Sequence, residues 1–142
     1  MSFPAQRKAV TFPDSTIVWG TPLFEREPGD PVPQYGLYMY IGWKPNWPHD
    51  FIDWPDLDVP LDDEDATAKI IGAFERAQAG EEVEVGCRFG LGRTGTVIAC
   101  MGILAGIPSG DAVSWTKTNY RTFAVETLEQ QEWIGRFEAL AR

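Results

Sequence analysis

The sequence predicts an α/β fold: one domain, residues 1–142, with a mainly parallel central sheet flanked by helices. Three observations carry this expectation. Apolar residues recur at helical spacing in several stretches of the second half, such as Ala66, Ile70, Ala73, Phe74 and Ala77. A short β-rich run, Glu82–Gly86, lies between two such stretches, so helix and strand alternate. A glycine-bearing loop joins that strand to the next helix, where sheets of this kind place their ligands.

The elements follow in order. Ala9–Phe12 and Thr16–Trp19 read as strands around a turn at Pro13-Asp14-Ser15. Glu25–Pro33 is a polar loop rich in Pro and Gly. Gly36–Ile41 has the composition of a strand. Gly42–Asp50 is a Trp- and Pro-bearing loop, and Phe51–Trp54 a short strand. Asp62 or Asp63 caps a helix with an acidic first turn, which the helix dipole favours. Gly80 ends that helix. Thr94–Ala105 is a helix hydrophobic on most sides and therefore buried. Ser109–Tyr120 is a third helix. Thr127–Ala141 is a fourth, with Leu128, Trp133, Ile134, Phe137 and Leu140 facing inward. Met1–Lys8 is expected to be poorly ordered.

Composition narrows the function classes. A chain of 142 residues with 44% hydrophobic and 13% aromatic content can build a sizeable core. A formal charge of −9 argues against nucleic-acid and anionic-membrane surfaces. No apolar run is long enough to span a bilayer, and no leader peptide is evident, so a cytoplasmic setting is expected. Two cysteines do not make a disulfide framework. Cys100 falls well inside the apolar helix and reads as core. The single histidine, His49, has no partner ligands at metal-binding spacing, so no metal or other cofactor is expected.

The run from Val83 to Thr96 carries the chemistry. A strand leads into Cys87, and Arg93 follows with Thr94-Gly95 opening a helix. Gly90 and Gly92 allow the loop between them to turn its N–H groups inward. The helix points its positive end at the same place. Arg93 adds a planar fork that can hold two phosphate oxygens; a cation at a helix start is otherwise disfavoured. Cys87 lies where this positive potential converges, which favours its thiolate. A thiolate facing a bound phosphate is a nucleophile for phosphoryl transfer.

The stretch Cys87-Arg-Phe-Gly-Leu-Gly-Arg93-Thr94-Gly95 resembles the Cys-x5-Arg signature loop of the protein tyrosine phosphatase superfamily, in the form used by its tyrosine-specific branch. The resemblance extends over roughly Asp53 to Trp133 and suggests a small, bacterial-type member with the tyrosine/dual-specificity phosphatase fold. It implies that Cys87 is the nucleophile and that Arg88, Phe89, Gly90, Leu91, Gly92 and Arg93 bind the phosphate. Thr94 is either a helix cap or, as in the family, a donor to the departing thiolate. Trp54-Pro55-Asp56 resembles the family's general-acid loop and implies Asp56 as the acid, with Asp53 and Asp58 as nearby rivals. Glu126-Thr127-Leu-Glu-Gln130 is similar to a family segment whose two glutamines orient substrate and water. It implies Gln130 as the water-positioning residue, although Thr127 and Gln130 also fit a capping box. Two departures stand out: Gly86 where most members have His, and Glu126 where they have Gln, with a base or a structural acceptor as its possible roles. Phe123 stands where many members have Gly beside the pocket mouth. Trp43, Trp47 and Trp54 are either loop staples or an aromatic wall for substrate.

The resemblance thus implies a phosphatase acting on phosphotyrosine in a protein or peptide, with phosphoserine and phosphothreonine as further candidates, through a cysteinyl-phosphate. Its alternatives are a weak or inactive phosphotyrosine-binding module and a phosphatase for a non-protein ester. No nucleic-acid or membrane partner is expected, and the sequence leaves the oligomeric state open.

Overall fold

The computed structural model of the chain describes residues 7–142. Five strands form one sheet: β1 (Lys8–Thr11), β2 (Ile17–Pro22), β3 (Tyr35–Tyr38), β4 (His49–Phe51) and β5 (Val83–Cys87). Their order across the sheet is β1-β2-β5-β3-β4, with only β1 antiparallel to its neighbour. Four helices follow the sheet's logic: α1 (Asp63–Gln78), α2 (Gly92–Leu104), α3 (Ala112–Asn119) and α4 (Leu128–Leu140). The predicted α/β class and mainly parallel sheet are therefore found.

Connection handedness decides which face receives the helices. The chain crosses from β2 past β5 to β3, and on to β4, in one direction. It returns from β4 to β5 through α1 in the other. Right-handed crossovers place those connections on opposite faces. Accordingly α1 packs on the face carrying Val83, Val85 and Cys87, and α2, α3 and α4 join it there. The other face carries Tyr38 and Glu84, covered by the loops after β2 and β3 rather than by helices.

The helix signals in the sequence act as expected. Asp62 caps α1 by accepting the Asp65 N–H at 3.0 Å. Ala66, Ile70, Ala73, Phe74 and Ala77 are its buried stripe. In α2 every residue from Gly92 to Gly102 is buried, since it lies between the sheet and α1, α3 and α4. Thr127 and Gln130 form a full capping box on α4. Leu128 departs from the expected inward stripe of that helix and is exposed, because it stands on the first turn before the helix reaches the core.

The remaining differences are local. The strand expected at Phe51–Trp54 runs His49–Phe51 instead. Trp54 turns out of the ladder because its indole N–H is satisfied by the Asp58 carbonyl at 2.6 Å and its ring packs on Trp133. At the end of the segment Met1–Lys8, Arg7 pairs with Glu82 at 2.5 Å and covers the Trp19 ring, and Lys8 opens β1. Residues 1–6 lie outside the described residues. Among the described residues no helix is long and apolar enough to cross a membrane.

Candidate active site

All four strands β2, β5, β3 and β4 are parallel, so their carboxyl ends share one edge of the sheet. Cys87 ends the central strand at that edge and is buried. The loop Arg88–Leu91 leads directly into the first turn of α2. Its shape is set by where its carbonyls go. The Arg88 carbonyl accepts the Phe24 N–H at 3.1 Å. The Gly90 carbonyl accepts the Tyr120 hydroxyl at 2.6 Å. The Leu91 carbonyl accepts the N–H groups of Gly95, at 2.8 Å, and Val125, at 3.3 Å. Gly90 has φ of +70°, and a β-carbon there would stand 2.8 Å from the Pro22 nitrogen. No other residue type suits that position.

Gly92 serves differently from the expectation. It adopts no positive φ; it is the first residue of α2. Its lack of a side chain leaves room for the Glu126 carboxylate, whose Oε1 occupies the space a β-carbon would need. Glu126 is thus held over the start of α2, beside the loop.

Thr94 is not the helix cap, because Leu91 holds that position. Its hydroxyl instead donates to Cys87 Sγ at 3.0 Å. Arg93 is buried and tied down by backbone carbonyls. Its Nη1 donates to Met39 O at 2.5 Å and to Trp54 O at 3.1 Å, and its Nη2 lies 3.5 Å from Asp56 Oδ1. Its Nε is buried without a protein partner. An unmet guanidinium donor six residues after the cysteine, at the end of the same loop, is what an anion would complete.

The three carboxylates of the loop Asp53–Asp58 differ in their surroundings. Asp56 is half-exposed and faces Arg93, with Oδ1 also accepting the Leu57 N–H at 3.0 Å. Asp58 is occupied locally: its carboxylate accepts the Val59 N–H, and its carbonyl accepts Trp54 Nε1 and Gln130 Nε2. Asp53 accepts the Leu61 N–H through its carbonyl and lines a cleft of about 330 Å³ with Tyr40, Ile41, Gly42, Trp54, Pro55 and Arg93.

Gln130 is brought to the site but is fully buried with both ends of its amide engaged. Its Oε1 accepts the N–H groups of Glu126 (2.8 Å) and Thr127 (3.3 Å), and its Nε2 donates to Asp58 O at 3.2 Å. It ties the acid loop to α4. Glu126 is the exposed member of the pair. Arg88 is exposed, with its guanidinium 5.1 Å from the Phe89 ring centre. Trp43 and Trp47 are not at the site; they flank Arg26 on the helix-free face. His49 accompanies them at the edge strand, its Nδ1 2.6 Å from Trp47 O.

Gly86 explains itself by packing. A β-carbon there would stand 2.9 Å from Leu23 Cδ2 and 3.2 Å from Thr21 O. Leu23 opens a 3-10 turn, Leu23–Glu25, and fills the space a larger residue would take. Two supporting residues escaped the sequence reading. Tyr120, whose hydroxyl holds the loop, is buried beside Cys87, and its phenol pKa is raised by burial and by the charge on that cysteine. Met39 acts through its carbonyl, which no side-chain pattern reveals. Among the described residues no cluster of three His, Cys, Asp or Glu side chains is placed to hold a metal.

Comparison with known proteins agrees with this geometry. The model of the protein-tyrosine phosphatase family matches residues 44–136, about two thirds of the chain. The structure of Tk-PTP in its active form is 24% identical, with TM-score 0.62 over 75% of this chain and 79% of that one. Kinase associated phosphatase (KAP) is 13% identical, with TM-score 0.80 over 99% and 98%. PTPMT1, solved in complex with PI(5)P, is 17% identical, with TM-score 0.60 over 75% and 78%. These likenesses show a shared fold, which in KAP extends across the whole chain. The family match spans the cysteine loop, the acid loop and the start of α4 together, so the chain belongs to the protein-tyrosine phosphatase family of phosphoric monoester hydrolases.

Proposed function

We propose that this chain hydrolyses phosphotyrosine in proteins or peptides through a cysteinyl-phosphate intermediate. One observation carries the reading: Cys87 Sγ accepts the Thr94 hydroxyl while the buried Arg93, with Nε unpartnered, stands across the same loop. With the carbonyls of Arg88, Gly90 and Leu91 drawn outward by scaffold donors, the loop's N–H groups are left for the equatorial oxygens of a phosphoryl group. Arg93 adds its Nε and the outer edge of Nη2.

The chemistry follows from these positions. The Cys87 thiolate attacks phosphorus, the phosphorus–oxygen bond to tyrosine breaks, and Asp56 gives its proton to the departing phenolate. Asp56 then takes a proton from water as that water attacks the cysteinyl-phosphate. Cys87 leaves as thiolate, stabilised by the Thr94 hydroxyl. Gln130 acts as a strut under the acid loop, with the exposed Glu126 beside the water's approach. Arg88, Phe89, Gly90, Leu91 and Gly92 complete the phosphate-binding loop.

The test is para-nitrophenyl phosphate hydrolysis by the wild type and Cys87→Ser, in EDTA with reductant. Metal-independent turnover that disappears in the variant is expected. A variant that keeps its rate would remove Cys87 as nucleophile. A second reading, a phosphoinositide-type ester, draws support from the likeness to PTPMT1 with its bound PI(5)P. Hydrolysis of such a lipid faster than of any phosphotyrosyl peptide would favour it.

A further inference from the structure

We infer that the mouth of this site selects tyrosine-phosphorylated segments whose flanking residues are apolar and not acidic; the inference rests on the phosphatase reading above and names its substrate class. Of the nine large hydrophobic side chains exposed among the described residues, six surround the cysteine loop: Phe24, Ile41, Leu57, Phe89, Phe123 and Leu128, between 45% and 76% exposed. Their placement follows from topology. The first four stand on the loops after β2, β3, β4 and β5, at the shared carboxyl edge. The other two flank the segment whose Val125 N–H is bonded to the Leu91 carbonyl. Phe24 and Phe89 touch, with ring centres 5.1 Å apart. Ile41 lines the cleft beside Arg93, and Leu57 follows the proposed acid.

The same chain buries Trp133, Tyr38, Phe12, Phe74 and Phe137 almost completely, so it has the capacity to cover large apolar groups. Apolar surface concentrated on one rim, with polar groups between, marks a contact surface. The substrate must cross this rim to bring its phosphate to Cys87, so the residues on either side of the phosphotyrosine are what the rim meets.

Charge selects against the alternative. Asp56 and Glu126 bring carboxylates to this mouth, Asp56 beside Arg93 and Glu126 directly over Gly92. The chain as a whole carries −9. Arg93 is buried and its open Nε edge is assigned to the phosphate itself, so Arg88 is the exposed cation within the cysteine loop, while Lys117 is turned onto the carbonyls of Thr122 and Ala124. An acidic flank would be repelled, and so would an anionic bilayer. An apolar peptide flank meets no such penalty and gains contact area at Phe123 and Leu128.

The experiment compares two phosphotyrosyl peptides of equal length, one with Leu, Val and Phe around the phosphotyrosine, the other with Glu and Asp there. The wild type should show kcat/KM at least about tenfold higher on the apolar peptide, carried mainly by KM, a factor within reach of burying two or three side chains. Phe123→Ser and Leu128→Ser should each shrink that ratio while leaving para-nitrophenyl phosphate turnover unchanged. Affinity of Cys87→Ser for the same peptides, read by fluorescence anisotropy, should follow the same order. That arm stands even if the wild type turns nothing over, an outcome that would overturn the phosphatase reading and not the rim. Equal or better handling of the acidic peptide, in both arms, would overturn the rim. So would serine variants that leave the ratio intact. Neutral vesicles carrying a phosphoinositide hydrolysed faster than the apolar peptide would reassign the rim to lipid.

Discussion

At the scale of single residues, the site works by giving each donor one task. Thr94 donates to Cys87, while Arg93 is clamped by the carbonyls of Met39 and Trp54 so that its remaining edge is free for an anion. Asp56 differs from Asp53 and Asp58 in lying 3.5 Å from that guanidinium. Asp56→Asn should therefore lower kcat by roughly 10²–10⁴, most for esters with poor leaving groups. Asp53→Asn and Asp58→Asn should stay within about threefold of wild type on the same ester series. A large loss in Asp53→Asn alone would move the acid to that residue. The residue types were readable from the chain, and the structure sets Cys87 against Thr94 and Arg93 against Asp56. The partners that aim them were not, since Tyr120 is distant in sequence and Met39 contributes only backbone.

At the scale of elements, Gln130 joins the acid loop to the start of α4. It closes the capping box with Thr127 and reaches the Asp58 carbonyl. Gln130→Ala would leave the Glu126 and Thr127 N–H groups without their acceptor and open a small cavity. The expected cost is about 2–4 kcal/mol. Urea denaturation should show that loss, and kcat should fall through the acid loop's greater freedom with para-nitrophenyl phosphate KM nearly unchanged. If stability is unaffected while hydrolysis of the intermediate slows, Gln130 holds water after all. The capping pattern itself was visible in the sequence as Thr127 and Gln130 three residues apart. Its long-range bond to Asp58 was not, because nothing local links positions 58 and 130. Strand ends were similarly underdetermined: the β-like run at Phe51–Trp54 stops early because the Trp54 indole finds a tertiary partner.

At the scale of the molecule, the sheet has one face built by helices and another built by an ion pair. Arg26 and Glu84 are both buried, 2.6 Å apart, with Tyr38 donating to the Glu84 carboxylate and Trp47 donating to Tyr38. Burial pushes the Glu84 carboxyl up, and Arg26 draws it back down. Removing the arginine takes away the nearest opposing charge, leaving Arg7 and the Tyr38 hydroxyl among the groups that still offset the burial. Arg26→Met should cost about 3–5 kcal/mol near neutral pH. The sign follows from linkage: a carboxyl whose folded pKa is raised contributes stability below its unfolded value of 4.5 that is lost as pH rises through the folded value. The variant's deficit in urea denaturation should thus be smallest near pH 4 and grow toward pH 7. A deficit constant with pH would mean that Arg26 contributes packing against Trp43 and Trp47 rather than charge.

The sequence by itself determined the α/β class, the order of the helices and the strand–loop–helix that presents Cys87 and Arg93. Those features depend on local periodicity, caps and turn chemistry, which act between residues a few positions apart. The tertiary structure alone decided that Glu84 is buried against Arg26 and that Leu23 fills the space beside Gly86. It also decided that the Gln130 amide bridges the Asp58 carbonyl and the start of α4, and that six exposed apolar side chains stand around the cysteine loop. Each of these depends on a crossover or loop that joins distant parts of the chain, and the right-handed path through β2, β3, β4 and β5 brings those parts to the same edge of the sheet or the same face.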